Sequence, residues 1–273
     1  MQDLAGKVAV ITGGASGIGL ATARRFAREG LKIVIADIEQ APLDAAARGL
    51  EAAGAEALGV RTDVGKLEDV QRLAERTVQR FGKVHVVFNN AGVNRAGPIQ
   101  EMTHADWQWV LQVNLWGVIH GVEVFVPRLL EQGEGGHIVN TASFAGLIPN
   151  QGLGVYCVSK YGVLGLSEVL FRDLSAYGIG VSVLCPMVVN TNIRFAGRNR
   201  QPEFGGPVAA PTRSEEEQEA VVGRHIEPDE VAELVLKGVR ENRLYIHTHA
   251  EARGFIQRRF NRIDRAFTDA GLV

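Results

Sequence analysis

Cysteine is scarce: Cys157 and Cys185 are the only two in 273 residues, each set among apolar neighbours. That supply builds neither a disulfide framework nor a metal site at the usual tight spacing, so no metal is expected. Two reduced, buried thiols match a cytoplasmic protein. Net charge is scarce too, at −2 from 29 basic and 31 acidic residues. So even a balance offers no attractive field for nucleic acid or an anionic membrane. No apolar run reaches the roughly 20 residues that span a bilayer. Met1 to Lys7 lacks the basic-then-apolar layout of a secretion signal. The expected partner is a small molecule.

What is present is a regular alternation. Short β-branched runs at residues 8–11, 33–36, 57–60, 84–88, 137–140 and 181–184 read as buried strands. Amphipathic stretches at 18–29, 67–81, 107–130 and 155–177 fall between them. Strand–helix alternation implies βαβ crossovers, hence an α/β fold with a doubly wound, Rossmann-like parallel sheet. No linker or repeat interrupts it, so residues 1–273 read as a single domain. The pattern breaks from Thr191 to Arg224, where Pro, Gly, Arg and Glu replace periodic apolar residues. Such an insertion, about 191–225, is either a substrate lid or a disordered segment. Glu227-Pro228-Asp229-Glu230 opens a further helix, 244–246 supplies a last strand, and 250–268 reads as a basic amphipathic C-terminal helix.

Val8-Ala9-Val10-Ile11 runs into Thr12-Gly13-Gly14-Ala15-Ser16-Gly17-Ile18-Gly19 and then a helix. A glycine loop there lets backbone N–H groups meet a pyrophosphate at the helix N-terminus. Gly13 permits the tight turn, and Gly17 and Gly19 permit close approach. Glycine turns also serve geometry alone; the strand before and the helix after are what point to a dinucleotide. Asp37 closes the second strand, where a carboxylate accepts from adenosine ribose hydroxyls and repels a 2′-phosphate. It also suits a cap for the next helix. With no Arg or Lys in the glycine loop or directly after Asp37, NAD is the expected cofactor and NADP is disfavoured.

Ser143 follows the fifth strand, and Tyr156 and Lys160 begin the next long helix. A spacing of four puts the latter two on one helical face. An ammonium beside a phenol favours its ionised form and brings it within range of acid–base work. Ser143 is placed to hydrogen-bond a substrate oxygen. A Tyr-x-x-x-Lys pair alone is common on solvated helices, so its neighbours decide.

Those neighbours are Thr12-Gly-Gly-Ala-Ser-Gly-Ile-Gly19, Asp63-Val64, Asn89-Asn90-Ala91-Gly92, Asn114, Ser143, Tyr156-x-x-x-Lys160 and Pro186…Thr191. In order and spacing across nearly the whole chain, the set resembles the short-chain dehydrogenase/reductase family. The resemblance implies an NAD(H)-dependent oxidoreductase that moves a hydride between nicotinamide and a secondary alcohol or its ketone. It implies Tyr156 as general acid/base, Ser143 as the group fixing the carbonyl, and Lys160 as tuner of Tyr156 and partner of the nicotinamide ribose. Asn114 would kink its helix and hold a relay water. Ser16 and Ile18 would join the glycine loop at the cofactor, with Asp63 and Val64 around the adenine and Asn90 and Gly92 along the ribose. Pro186, Val189 and Thr191 would meet the carboxamide and phosphates. A homotetramer or homodimer is the family's habit.

Two positions depart from the family. Met187 follows Pro186 where glycine is usual, placing a side chain near the nicotinamide or substrate mouth. The catalytic helix reads Tyr156-Cys157-Val158-Ser159-Lys160, with Cys157 and Val158 expected to pack against the sheet. For substrate, Asn94, Phe144, Leu147, Ile148, Leu153, Met187 and Phe195 give a mainly apolar wall, suited to a bulky apolar or aromatic secondary alcohol. Arg194, Arg198, Arg200 and Arg213 among glutamates read as a solvated lid or as a site for an anionic substrate tail. Asn94…Gly97-Pro98-Ile99, Phe125-Val126-Pro127-Arg128, Tyr177-Gly178-Ile179-Gly180-Val181 and Leu244-Tyr245-Ile246 resemble the branch holding bacterial dehydrogenases of lignin-derived aryl carbinols. A 3-oxoacyl carrier-protein reductase shares the catalytic residues but favours NADPH, against Asp37. A non-catalytic dinucleotide-binding protein on the same fold would not need Asn114, Ser143, Tyr156 and Lys160 together.

Overall fold

The computed structural model describes residues 1–209 and 223–272. Its strands are β1 (Val8–Thr12), β2 (Lys32–Asp37), β3 (Ala57–Arg61), β4 (Val86–Asn89), β5 (Gly136–Thr141), β6 (Ile179–Cys185) and β7 (Tyr245–His247). They form one parallel sheet in the order β3-β2-β1-β4-β5-β6-β7. The doubly wound α/β architecture read from the sequence is the one observed, with strand bounds moved by a residue or two.

Period-two alternation along the strands divides the core. Ala9, Ile11, Ile33 and Ile35 pack with Phe26, Leu43 and Val235 from α1 (Gly17–Arg28), α2 (Gln40–Ala52) and α7 (Pro228–Glu241). Val8, Val10, Val34 and Ala36 pack on the other face with Leu73, Phe125 and Leu170 from α3 (Leu67–Phe81), α5 (Gly117–Gln132) and α6 (Gly154–Asp173). Burying each large side chain stabilises by about 2 kcal/mol. Covering both faces leaves the strand ends as the place where polar groups can reach a ligand.

The stretch expected as one helix at 107–130 is α4 (His104–Leu111) and α5, joined by a π turn at Gln112–Trp116. That turn centres on Asn114 and supplies the expected irregularity. Thr103 and Asp106 start α4 with a capping box. Contrary to the sequence reading, one stretch does meet the length and composition for crossing a membrane. It is His104–Gln132, and 50% of its most apolar window is buried inside the protein. Trp109, Val110, Val118, Val124 and Phe125 supply that apolarity and pack into the core.

Cys157 is buried as expected, but Val158 is exposed. Two helical steps from both Tyr156 and Lys160 carry position 158 to the opposite side of α6. Past β6 the chain makes short 3₁₀ turns at Asn192–Asn199 and Pro202–Phe204. The remainder of the expected lid, Arg213 included, lies outside the described residues. The C-terminal helix α8 (Ala252–Asp269) forms where expected.

Candidate active site

The sheet order reverses between β1 and β4, and a crevice opens there at the carboxyl ends of the strands. A cleft of about 240 Å³ follows it. After β1 it is lined by Gly13, Ser16, Gly17 and Ile18, with Gly13 and Gly17 at φ +62° and +51°. Ser16 caps α1 without a side-chain bond, which leaves the first-turn N–H groups open to an anion. Gly19 does not line the cleft; it faces the turn itself. A Cβ there would stand 2.2 Å from Gly13 O and 2.8 Å from Asn90 Nδ2. Gly19→Ala is therefore expected to cost about 3 kcal/mol by overpacking against backbone, read as a lowered denaturant midpoint. An unchanged midpoint would count against this packing.

The cleft continues over Asp37, Asp63, Val64, Asn90 and Gly92. Asp37 accepts from Ala15 N–H and Glu39 N–H, each at 3.1 Å. Burial nevertheless raises its pKa. Thr12 Oγ accepts from Asn90 N–H at 2.9 Å and Ala91 N–H at 3.1 Å, tying the loop after β4 to the end of β1.

Ser143, Tyr156, Lys160, Pro186 and Val189 line the cleft beyond, and Thr191 comes back against Gly17. Lys160 is buried, its Nζ donating to Thr141 O at 2.8 Å and lying 5.6 Å from the Tyr156 ring centre. Burial pushes the Tyr156 phenol up to about 12, against a lowering contribution from the Ser143 hydroxyl. Burial also brings the Lys160 ammonium down to about 7. This corrects the sequence reading, which had the ammonium lowering the phenol. Spacing reveals a neighbouring charge but not the desolvation that weakens it.

Asn114 is fully buried and does not line the cleft. Its Oδ1 accepts from Val93 N–H at 2.8 Å, and its Nδ2 donates to Val93 O at 2.9 Å and Ser159 Oγ at 3.1 Å. Ser159 in turn donates to Tyr156 O at 2.7 Å. Asn114 thus ties the loop after β4 to the helix carrying Tyr156 and Lys160.

A second cavity, of about 1030 Å³, holds the expected substrate residues Asn94, Phe144, Leu153, Met187 and Phe195. Leu147 packs instead toward Val118, Ala142 and Val163, and neither it nor Ile148 lines the cavity. The wall is also less apolar than expected. Asn150 and Gln151 join it, and the exposed Arg24, Arg194, Glu227 and Asp229 form its solvent edge. Phe255 from α8 reaches in and meets Phe144 edge to face at 5.7 Å. The two cavities share Ser143, Tyr156 and Met187, and along the rest of their border Gly17, Val189, Thr191, Asn192 and Ile193.

Two further residues line the cleft where the sequence did not place them. A basic residue does stand at the Asp37 end of the cleft: Arg198, bound to Glu39 through Nε at 3.1 Å and Nη2 at 2.5 Å. Gln201 lines the same end, and its Nε2 donates to Asp63 Oδ2 at 3.0 Å. Both pairs join distant segments that share no periodicity.

Comparison with known proteins agrees with this geometry. A family model described as short chain dehydrogenase matches residues 7–201. A C alpha-dehydrogenase of Sphingobium sp. is 37% identical over 270 residues, spanning 96% of this chain and 87% of that protein. A 3beta-hydroxysteroid dehydrogenase 2 of Eggerthella lenta is 38% identical over 210 residues, 77% of this chain and 80% of that one. The crystal structure of a short chain dehydrogenase/reductase from Burkholderia phymatum in complex with NAD superposes with a TM-score of 0.91 at 43% identity, covering 97% of each chain.

Proposed function

This chain belongs to the short-chain dehydrogenase/reductase family, and we propose that it interconverts a bulky apolar or aromatic secondary alcohol and its ketone with NAD(H). Family membership makes it an oxidoreductase acting on CH–OH groups. One observation carries the finer reading: among the described residues that line both cavities, Tyr156 is the one titratable side chain, with Ser143 beside it. A dinucleotide in one and an alcohol in the other would meet beside Tyr156.

The residues present fit NAD. A Cβ on Gly92 would stand 3.6 Å from Lys160 Nζ and 3.5 Å from Asn114 Oδ1, so its absence keeps the cleft open beside the lysine. The uncapped first turn of α1 suits the pyrophosphate, and Asp37 suits the ribose hydroxyls. Arg198 offers little to a 2′-phosphate while Glu39 holds it. The NAD complex of the Burkholderia relative supports the same choice.

When bound, the nicotinamide supplies the carbon that accepts or donates the hydride. Tyr156 Oη takes the alcohol proton in oxidation and returns it to the ketone oxygen in reduction. At rest it is a phenol, ready to act as an acid. A cation entering the cleft favours its phenolate, as oxidation requires. Ser143 Oγ donates to Pro186 O at 3.4 Å, a bond weak enough to exchange for the substrate oxygen. Lys160, anchored on Thr141 O, lines the cleft beside Tyr156.

The substrate class rests on the second cavity. Its volume, about 1030 Å³, reaches the upper range of small-molecule sites. The Phe144–Phe255 pair offers ring faces and edges to a third ring. The Sphingobium and Eggerthella relatives, a C alpha-dehydrogenase and a hydroxysteroid dehydrogenase by name, support a bulky substrate. Initial rates across aryl carbinols, hydroxysteroids and short aliphatic alcohols, each with NAD and NADP, test this. Bulky alcohols with NAD are expected to exceed short ones in kcat/KM by at least about tenfold. Preference for short alcohols would overturn the substrate class, and preference for NADP the cofactor.

A further inference from the structure

The segment between Asn192 and Ala209 is expected from the sequence to cover the substrate, yet two of its polar anchors, Arg198 and Gln201, lie at the Asp37 end of the cleft. Arg198 pairs with Glu39, two residues beyond Asp37. Arg200 is buried on Asp106 at 2.6 Å, and Gln201 bonds Asp63 at 3.0 Å. Asp63 is itself oriented by Gly65 N–H, which donates to its Oδ1 at 3.0 Å. Gln201 has one bond too few. Its Nε2 is engaged, but its Oε1 is buried without a partner. Leaving a buried acceptor unmet costs about 1–3 kcal/mol, a cost that a ligand donor at this position would remove.

We propose that Gln201 is an adenine-recognising residue, and that this segment clasps the adenosine end of the dinucleotide. The inference rests on the dinucleotide reading above. Asp63 and Gln201 Oε1 are two acceptors at one place, and the exocyclic amine of adenine has two N–H donors. Hypoxanthine carries a carbonyl oxygen at that position and meets both acceptors with a lone pair. The Gln201 amide also fixes the Asp63 carboxylate by donating to it. Arg198, held by Glu39, ties down the same segment beside the adenosine ribose.

The test is calorimetric binding of 5′-AMP and 5′-IMP to the cofactor-free protein, wild type against Gln201→Leu. Leucine keeps the bulk and removes both amide groups. Wild type is expected to favour AMP. In the variant AMP affinity falls about tenfold, the worth of one net hydrogen bond, while IMP affinity holds or rises. A residual AMP preference remains through Asp63. An AMP/IMP ratio unchanged from wild type overturns the proposal. So does an equal loss of both nucleotides, which marks a collapsed segment rather than a lost base contact. Wild type that binds neither AMP nor NAD overturns the dinucleotide reading itself.

Discussion

Replacing Tyr156 by phenylalanine is expected to lower kcat/KM by about 10²–10⁴-fold, the usual worth of a positioned acid–base group. NAD affinity should stay within about threefold, because the substitution removes one hydroxyl and keeps the ring against which Lys160 lies. The effect is large because Tyr156 is the one titratable group among the described residues that line both cavities. Ser143 and Thr191, the other hydroxyl groups on that border, are alcohols, too weakly acidic to take that role. Lys160, brought down to about 7, has the right acidity, yet its Nζ is engaged by Thr141 O. The measurement is steady-state kinetics beside a fluorescence titration with NADH. Activity within tenfold of wild type would exclude Tyr156 as the proton-transfer group.

That reasoning joins two levels of information that the sequence supplies unequally. The strands were legible because alternation such as Ala9/Ile11 against Val8/Val10 reports burial directly, and both faces of the sheet are buried. Gly13, Asp37, Asn90, Ser143 and Pro186 were legible as one site because each follows a parallel strand. Parallel strands deliver all such positions to the same edge. Asn114 was legible as an irregular helix position, and the π turn is its structural form.

Contacts between unlike segments were not legible. Phe255 reaches Phe144 from a helix that reads only as basic and amphipathic, and Arg198 reaches Glu39 across 159 residues. Periodicity says which face of an element is covered, never by what. Electrostatics failed for a related reason. The i,i+4 spacing of Tyr156 and Lys160 showed an ammonium near a phenol, but the same burial that brings them together removes the water that would sustain the charge. The supposed apolar wall was misread because its solvent edge is drawn from α1, the loop after β6 and α7, which only the fold assembles.

Asp106 carries the second large effect, and it acts on the covering segment rather than on the chemistry. Its carboxylate accepts from Arg200 at 2.6 Å and Arg95 at 3.1 Å, and its Oδ2 accepts from Thr103 N–H at 2.9 Å and Thr103 Oγ at 2.7 Å. Burial alone would raise its pKa, but the Thr103 hydrogen bonds and the two guanidinium groups outweigh it and hold the group at about 2. A folded pKa below the unfolded one means that the carboxylate stabilises the protein above pH 4 or so. That contribution, about 2 kcal/mol, is lost as pH falls through about 2. Asp106→Ala goes further, because it leaves the Arg200 guanidinium buried and removes the α4 capping box. The expected cost is about 3–5 kcal/mol, or about 10 °C in Tm. Asp106→Asn, which keeps the shape but not the charge, should flatten the pH 4 to 2 limb of the stability curve. Both variants should also expose Arg198 and Arg200 to trypsin faster than wild type, since the Asp106–Arg200 pair anchors the segment that carries both arginines. If Asp106→Ala unfolds and is cut as wild type is, the segment is held by something other than this ion pair.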